Sequence, residues 1–218
     1  MSRRQDHRTA LCPGSYDPVT LGHLDIIKRA AEIFDRVVVG VVREPSHKQT
    51  MFSVEERVGF LEEALRKEDN VEVDVFAELV VEFAKRWGAR TMVKGLRVIS
   101  DFEWEFQMHH LNRTLAPDIE TVYLMSNPQY SFVSSSGVKE VASFGGNVDE
   151  LVPPAVARRF SEMFPQGKPG APGFPCGNIS AKRRATGAGT SSSTLAPKEA
   201  TSLTPLEETK LYCGLDMR

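Results

Sequence analysis

Thr9-Ala10-Leu11-Cys12-Pro13-Gly14-Ser15-Tyr16-Asp17-Pro18-Val19-Thr20-Leu21-Gly22-His23 is the stretch that decides the fold. It opens on a short apolar run, and beyond it Leu24, Ile27, Ala31 and Phe34 recur at helical spacing, so it reads as strand, loop and helix. The loop has the composition of an anion site. Gly14 and Gly22 let a ligand approach the main chain. Amide groups and the dipole at a helix start attract negative charge. Ser15 and Thr20 add hydroxyls, Pro13 and Pro18 stiffen the approach, and His23 falls on the first helical turn within reach of a bound anion.

Further along, strands and helices alternate. Arg36-Val37-Val38-Val39-Gly40-Val41-Val42 is almost all β-branched, which predicts a parallel strand covered on both faces. Ser53-Val54-Glu55-Glu56 is a capping box opening a helix with Val54, Val58, Leu61 and Leu65 on its inner face. Val71-Glu72-Val73-Asp74-Val75-Phe76 is a strand, and the next helix buries Val80, Phe83, Ala84 and Trp87 before stopping at Gly88. Thr91-Met92-Val93 is a short strand running into Lys94-Gly95-Leu96-Arg97. Residues 101–116 predict a long helix with Trp104, Met108, Leu111 and Leu115 along one stripe. A strand at 119–125, a helix opened by Ser134-Ser135-Ser136 and a helix over 154–164 complete the pattern. Five strands alternating with helices argue for one α/β domain, residues 1–164, built on a doubly wound, five-stranded parallel sheet of Rossmann-like type. Ligands bind such sheets at the carboxyl ends of the strands, where the polar clusters of this sequence fall.

Composition narrows the function. The chain has 218 residues and a formal net charge of −2, which gives no general drive toward nucleic acid. No run of about 18 apolar residues is available to span a membrane, and Met1-Ser2-Arg3-Arg4-Gln5-Asp6-His7 lacks the apolar core of a signal peptide, so a cytoplasmic location is expected. Cys12, Cys176 and Cys213 are far apart and form no metal or redox motif. Residues 165–218 are rich in Gly, Pro, Ser and Thr, and a disordered tail is expected there.

Two later stretches carry chemistry. Lys94-Gly95-Leu96-Arg97 sets two cations around a glycine at a strand end, suited to neighbouring phosphates or, more plainly, to a solvated turn. Glu105 is placed to accept from a ligand, to pair with one of those cations, or to remain on the surface. Three successive serines at a helix start present more hydroxyls than a cap requires, which favours an anion.

Thr20-Leu21-Gly22-His23 fits the [TH]-x-G-H signature of the nucleotidyltransferases, and residues 13–23 resemble the opening of the bacterial phosphopantetheine adenylyltransferases. Val93-Lys94-Gly95-Leu96-Arg97, Ser100-Asp101-Phe102-Glu103-Trp104-Glu105 and Tyr130-Ser131-Phe132-Val133-Ser134-Ser135-Ser136 continue that resemblance, which covers roughly 8–164. It implies reversible adenylyl transfer from ATP to 4′-phosphopantetheine, giving dephospho-coenzyme A and pyrophosphate, with Mg²⁺ and in a homohexamer. It makes His23 the transition-state stabiliser. It sets ATP against Ser15, Tyr16, His23, Gly95, Leu96, Arg97, Glu105, Tyr130, Ser131, Phe132, Val133, Ser134, Ser135 and Ser136, and phosphopantetheine against Ser15, Lys48, Val80 and Lys94.

The connection 44–52 is one residue longer than the family pattern, so its cation corresponds to Lys48 or, without a gap, to His47; Lys48 keeps the charge. Gly137 stands where leucine is usual. No carboxylate pair is spaced as a metal cage, so Mg²⁺ is expected on phosphates and water. The alternatives are another adenylyl or cytidylyl transferase of the superfamily and a nucleotide-binding regulator without catalysis.

Overall fold

In a computed structural model the described residues are 8–45 and 49–165. Parallel strands β1 (Thr9–Gly14), β2 (Arg36–Val42), β3 (Val71–Phe76), β4 (Thr91–Leu96) and β5 (Glu120–Met125) form one sheet in the order β3-β2-β1-β4-β5. Helices α1 (Leu21–Ile33), α2 (Val54–Leu65), α3 (Val80–Arg86) and α4 (Ile99–Leu115) join successive strands, and α5 (Ser135–Ser143) and α6 (Pro154–Met163) follow β5. The chain winds outward from β1 to β3, returns to the centre and runs out to β5, which is the expected doubly wound sheet. The expected tail lies outside the described residues from position 166 onward.

Side-chain alternation along the central strands feeds two separate cores. Ala10, Cys12, Val37, Val39 and Val41 pack with α1, α2, α5 and α6, whereas Leu11 and Val38 pack with Phe76, Phe83, Ala84 and Met92 on the other face. Val37, Val38, Val39 and Val41 have no exposed surface, which is why β2 tolerates so continuous an apolar run. The capping box at α2 forms as expected, with the Glu56 N–H donating to Ser53 Oγ at 3.2 Å and the Ser53 N–H to Glu56 Oε2 at 3.0 Å.

Two features depart from expectation. Strand β4 runs on through Lys94, Gly95 and Leu96, because its pairing with β5 continues to Leu96 and Met125. Helix α4 is rotated from the expected setting: Asp101, Glu105 and Asn112 are buried, Met108 and Leu111 of the apolar stripe are half-buried, and Trp104 and Leu115 are exposed. Ion pairs with Arg97 and Lys94 hold the polar face of α4 inward.

The sheet's central seam shapes a cleft. Strands β1 and β4 pair only at Ala10–Thr91 and Leu11–Met92, whereas β4 stays paired with β5 over its whole length. Past Leu11 the two central strands part, at the one point where the strand order reverses.

Candidate active site

The cleft between the diverging ends of β1 and β4 is lined by Cys12, Pro13, Gly14, Ser15 and Tyr16 from one side and Val93, Lys94, Gly95 and Arg97 from the other, with Thr20, Gly22, His23 and Ile26 above and Ser126 and Val133 beyond. Seven of the residues expected at the site, Ser15, Tyr16, His23, Lys94, Gly95, Arg97 and Val133, therefore share one cavity.

His23 is held by its own helix cap. Thr20 is the N-cap of α1, and its hydroxyl accepts from the His23 N–H at 3.4 Å. In return the Thr20 N–H donates to His23 Nδ1 at 3.0 Å, with Thr20 Oγ1 at 3.1 Å from the same nitrogen. A ring nitrogen that accepts a main-chain N–H carries no proton, so the neutral imidazole carries its proton on Nε2 and offers it as a donor. The Tyr16 ring stands edge-on to the imidazole, with centroids 5.3 Å apart. Thr20 is therefore an orienting residue rather than a free hydroxyl for the ligand.

Tyr16 itself is folded inward. Its φ of 49° puts it in the left-handed region, and its hydroxyl donates to the Cys12 carbonyl at 2.9 Å. The ring lies over Gly14, where any Cβ would come within 2.9 Å of Tyr16 Cε2, so this glycine is required by the loop's own packing. Ser15 Oγ is buried without a hydrogen-bond partner, which leaves an unsatisfied hydroxyl on the cavity wall. Cys12 lines the cavity, but burial pushes its thiol up to about 12, so it is a packing residue and not a nucleophile.

Each cation on the β4 side has a carboxylate from α4 behind it. Lys94 Nζ lies 3.3 Å from Glu105 Oε2, with both side chains buried. Arg97 Nε lies 3.4 Å from Asp101 Oδ2, and Arg97 Nη1 donates to the Val133 carbonyl at 2.9 Å. Asp101 also accepts from the Arg97 and Val98 N–H groups, which fixes the turn into α4. Glu105 is thus a buried partner of Lys94 and not a surface carboxylate; burial raises its carboxyl above the usual range, with Lys94 opposing.

The serine run does three different things. Ser134 Oγ caps α5 by accepting from the Gly137 N–H at 3.0 Å, Ser135 Oγ donates to the Pro18 carbonyl at 2.8 Å, and Ser136 is exposed. Ser135 thereby ties α5 to the loop after β1, a contact across 117 positions that no local pattern reveals. Tyr130 closes over Gly22, Ser131 Oγ donates to the Pro128 carbonyl, and Phe132 is exposed. Leu96 is half-buried at the end of β4. Val80 is buried among Leu11, Val38 and Phe76 and does not line the cavity. Lys48 and His47 lie outside the described residues.

Among the described residues no three His, Cys, Asp or Glu side chains come together as a metal site. What the cavity offers instead is a histidine N–H, an unsatisfied hydroxyl and two cations, a donor set suited to phosphate.

The cytidylyltransferase-like family model matches residues 11–141. A phosphopantetheine adenylyltransferase of Caldanaerobacter subterraneus is 51% identical over 157 residues, covering 72% of this chain and 98% of the relative. One from Alkaliphilus metalliredigens is 50% identical over 155 residues, 71% of this chain and 98% of the relative. Among solved structures, a Vibrio parahaemolyticus protein described as a candidate nicotinate-nucleotide adenylyltransferase superposes with a TM-score of 0.53 at 14% identity, covering 70% of this chain and 97% of that one, a likeness of fold. No helix among the described residues is long and apolar enough to cross a membrane.

Proposed function

The chain belongs to the phosphopantetheine adenylyltransferases, enzymes of the nucleotidyltransferase class, and from that premise we propose how its residues carry out the transfer. The substrates are ATP and 4′-phosphopantetheine. A phosphate oxygen of phosphopantetheine attacks the α-phosphorus of ATP, a new O–P bond forms as the bond to the β-phosphate oxygen breaks, and pyrophosphate leaves. No covalent protein intermediate is required, so the chain contributes positioning and charge.

The observation that carries this reading is the orientation of His23 at the switch point. With Nδ1 engaged by the Thr20 N–H, the ring presents an Nε2 donor that strengthens its hydrogen bond as charge builds on the α-phosphate oxygens. Lys94 and Arg97 supply positive charge on the opposite wall, and the unsatisfied Ser15 hydroxyl donates to a phosphate. The α5 start adds its dipole, with Ser136 exposed toward solvent. Lys48 is assigned to the acceptor phosphate by the family resemblance alone.

Mg²⁺ is proposed as the cofactor. The described residues offer cations rather than a carboxylate cage, so Mg²⁺ would be held by the triphosphate and water and would supply positive charge beside the pyrophosphate, while Lys94 and Arg97 supply the protein's own. Assembly as a homohexamer is supported by α4, which exposes Phe102 and Phe106 on one side and Trp104 and Leu115 on another, apolar surface of the kind that marks an interface. Residues 1–164 form the catalytic domain on this reading, 165–218 a separate tail, and the cytoplasm is where its ATP is drawn.

Pyrophosphate release from ATP and Mg²⁺, measured with 4′-phosphopantetheine and with nicotinamide mononucleotide as a rival acceptor, tests the proposal. Release with phosphopantetheine alone supports it; release with the rival alone replaces the acceptor. In the same assay His23→Ala is expected to lower kcat by about 10² or more, the scale of a lost oxyanion-type donor, and unchanged kcat removes the role given to His23.

A further inference from the structure

Arg57, on the first turns of α2, is only 1% exposed, although the other inward residues of that helix, Leu61 and Leu65, are apolar. Its Nη1 donates to the Ser15 carbonyl at 2.7 Å and the Val42 carbonyl at 2.8 Å, and its Nη2 donates to the Arg43 carbonyl at 2.8 Å. Those acceptors belong to two segments: the loop after β1, and the carboxyl end of β2 with its exit. A reciprocal grip runs the other way. Asp17, in the loop after β1, accepts from the Met51 N–H at 3.0 Å and the Phe52 N–H at 2.9 Å, on the approach to α2, and pairs with Lys139 of α5 at 2.7 Å.

Packing alone does not account for this arrangement. A guanidinium buried at this depth is costly before its hydrogen bonds are counted, and an apolar side chain of similar volume fills such a space at lower cost. Arg57 Nε has no partner at all. What the charge adds is a fixed bond to the Ser15 carbonyl, which both immobilises the Ser15–Tyr16 peptide and polarises it, making the Tyr16 N–H a stronger donor. Ser15 and Tyr16 line the cavity.

Resting on the adenylyl-transfer reading, we propose that Arg57 is a positioning residue for the transfer step. It clamps the loop that carries Ser15 to the carboxyl end of β2, so that the nucleotide phosphates stay aligned while the acceptor attacks. Asp17 completes the clamp from the opposite side.

The test compares wild type, Arg57→Lys and Leu61→Ala in the full chain, each assayed well below its own Tm for kcat and for the KM of ATP. Lysine keeps the charge, but one ammonium cannot span carbonyls on two segments as the planar fork does. Leu61→Ala destabilises the same helix by loss of packing only. We expect Arg57→Lys to lower kcat about tenfold or more with the KM of ATP changed less than about twofold, the mark of lost alignment, and Leu61→Ala to keep wild-type kcat. Unchanged kcat in Arg57→Lys, or an equal fall in both variants, overturns the proposal while leaving the reaction in place. A wild-type protein silent toward phosphopantetheine overturns the reaction and the proposal with it. If Arg57→Lys is unfolded at the assay temperature, Asp17→Asn, which keeps its volume and loses its charge, decides between the same outcomes.

Discussion

Lys94 Nζ and Glu105 Oε2 lie 3.3 Å apart with both side chains buried, and the second carboxylate oxygen of Glu105 has no partner. The two residues sit on β4 and α4, and their pairing decides which face of that helix turns inward. It also sets an electrostatic condition for the site. Burial raises the Glu105 carboxyl above its ordinary value, and Lys94 works against the rise.

A folded-state carboxyl with a raised value binds its proton more tightly than the unfolded chain does. Its stabilising contribution is full below the ordinary carboxylate value of 4.5 and is lost as pH rises through the raised one. Glu105→Gln is expected to flatten urea-derived stability against pH over the weakly acidic range just above that value. A profile as steep as wild type's excludes Glu105 as the source. The double change Lys94→Met with Glu105→Leu is expected to equal or exceed wild-type stability by about 1–4 kcal/mol, while pyrophosphate release is lost.

Thr20 caps α1 and orients His23 through the same few atoms. Thr20→Ala should cost about 1 kcal/mol as a lost cap and lower kcat by about tenfold as the imidazole loses the hydroxyl beside Nδ1. Thr20→Ser restores both quantities if the hydroxyl is the cause. Denaturant titration and steady-state kinetics on the three proteins separate capping from orientation.

At Gly95 a Cβ would lie 2.9 Å from Ile26 Cγ1, so helix α1 rests directly on the backbone of β4. Gly95→Ala is expected to destabilise by about 1–3 kcal/mol through overpacking, and Gly95→Ala with Ile26→Ala, which removes Cγ1, should cost less than the sum of the two single changes. Additive losses in the double variant would show that the glycine is needed for something other than this contact.

Trp104 is 52% exposed on α4. If this face joins subunits, Trp104→Glu shifts the species seen by sedimentation velocity from hexamer toward smaller forms, with helix content unchanged by circular dichroism. A wild-type protein that sediments as a monomer removes the basis for the interface.

Much of this molecule is legible along the chain because the signals are local. Apolar runs such as 36–42 and the loop between Cys12 and His23 specify strands, helices and the side of the sheet that carries chemistry, since each depends on neighbours within a few residues. The resemblance to the phosphopantetheine adenylyltransferases rests on the same short motifs, and the relatives agree with it. The burial of Arg57, the bond from Ser135 to Pro18 and the grip of Asp17 on the approach to α2 depend on partners tens of positions away or more, and the rotated setting of α4 depends on buried ion pairs with Lys94 and Arg97 that the apolar pattern does not show. Periodicity counts apolar residues and takes charged ones as solvated. Only when the chain is folded does a buried cation meet the carbonyls or carboxylate that make its burial tolerable, and those pairings orient the side chains of the site.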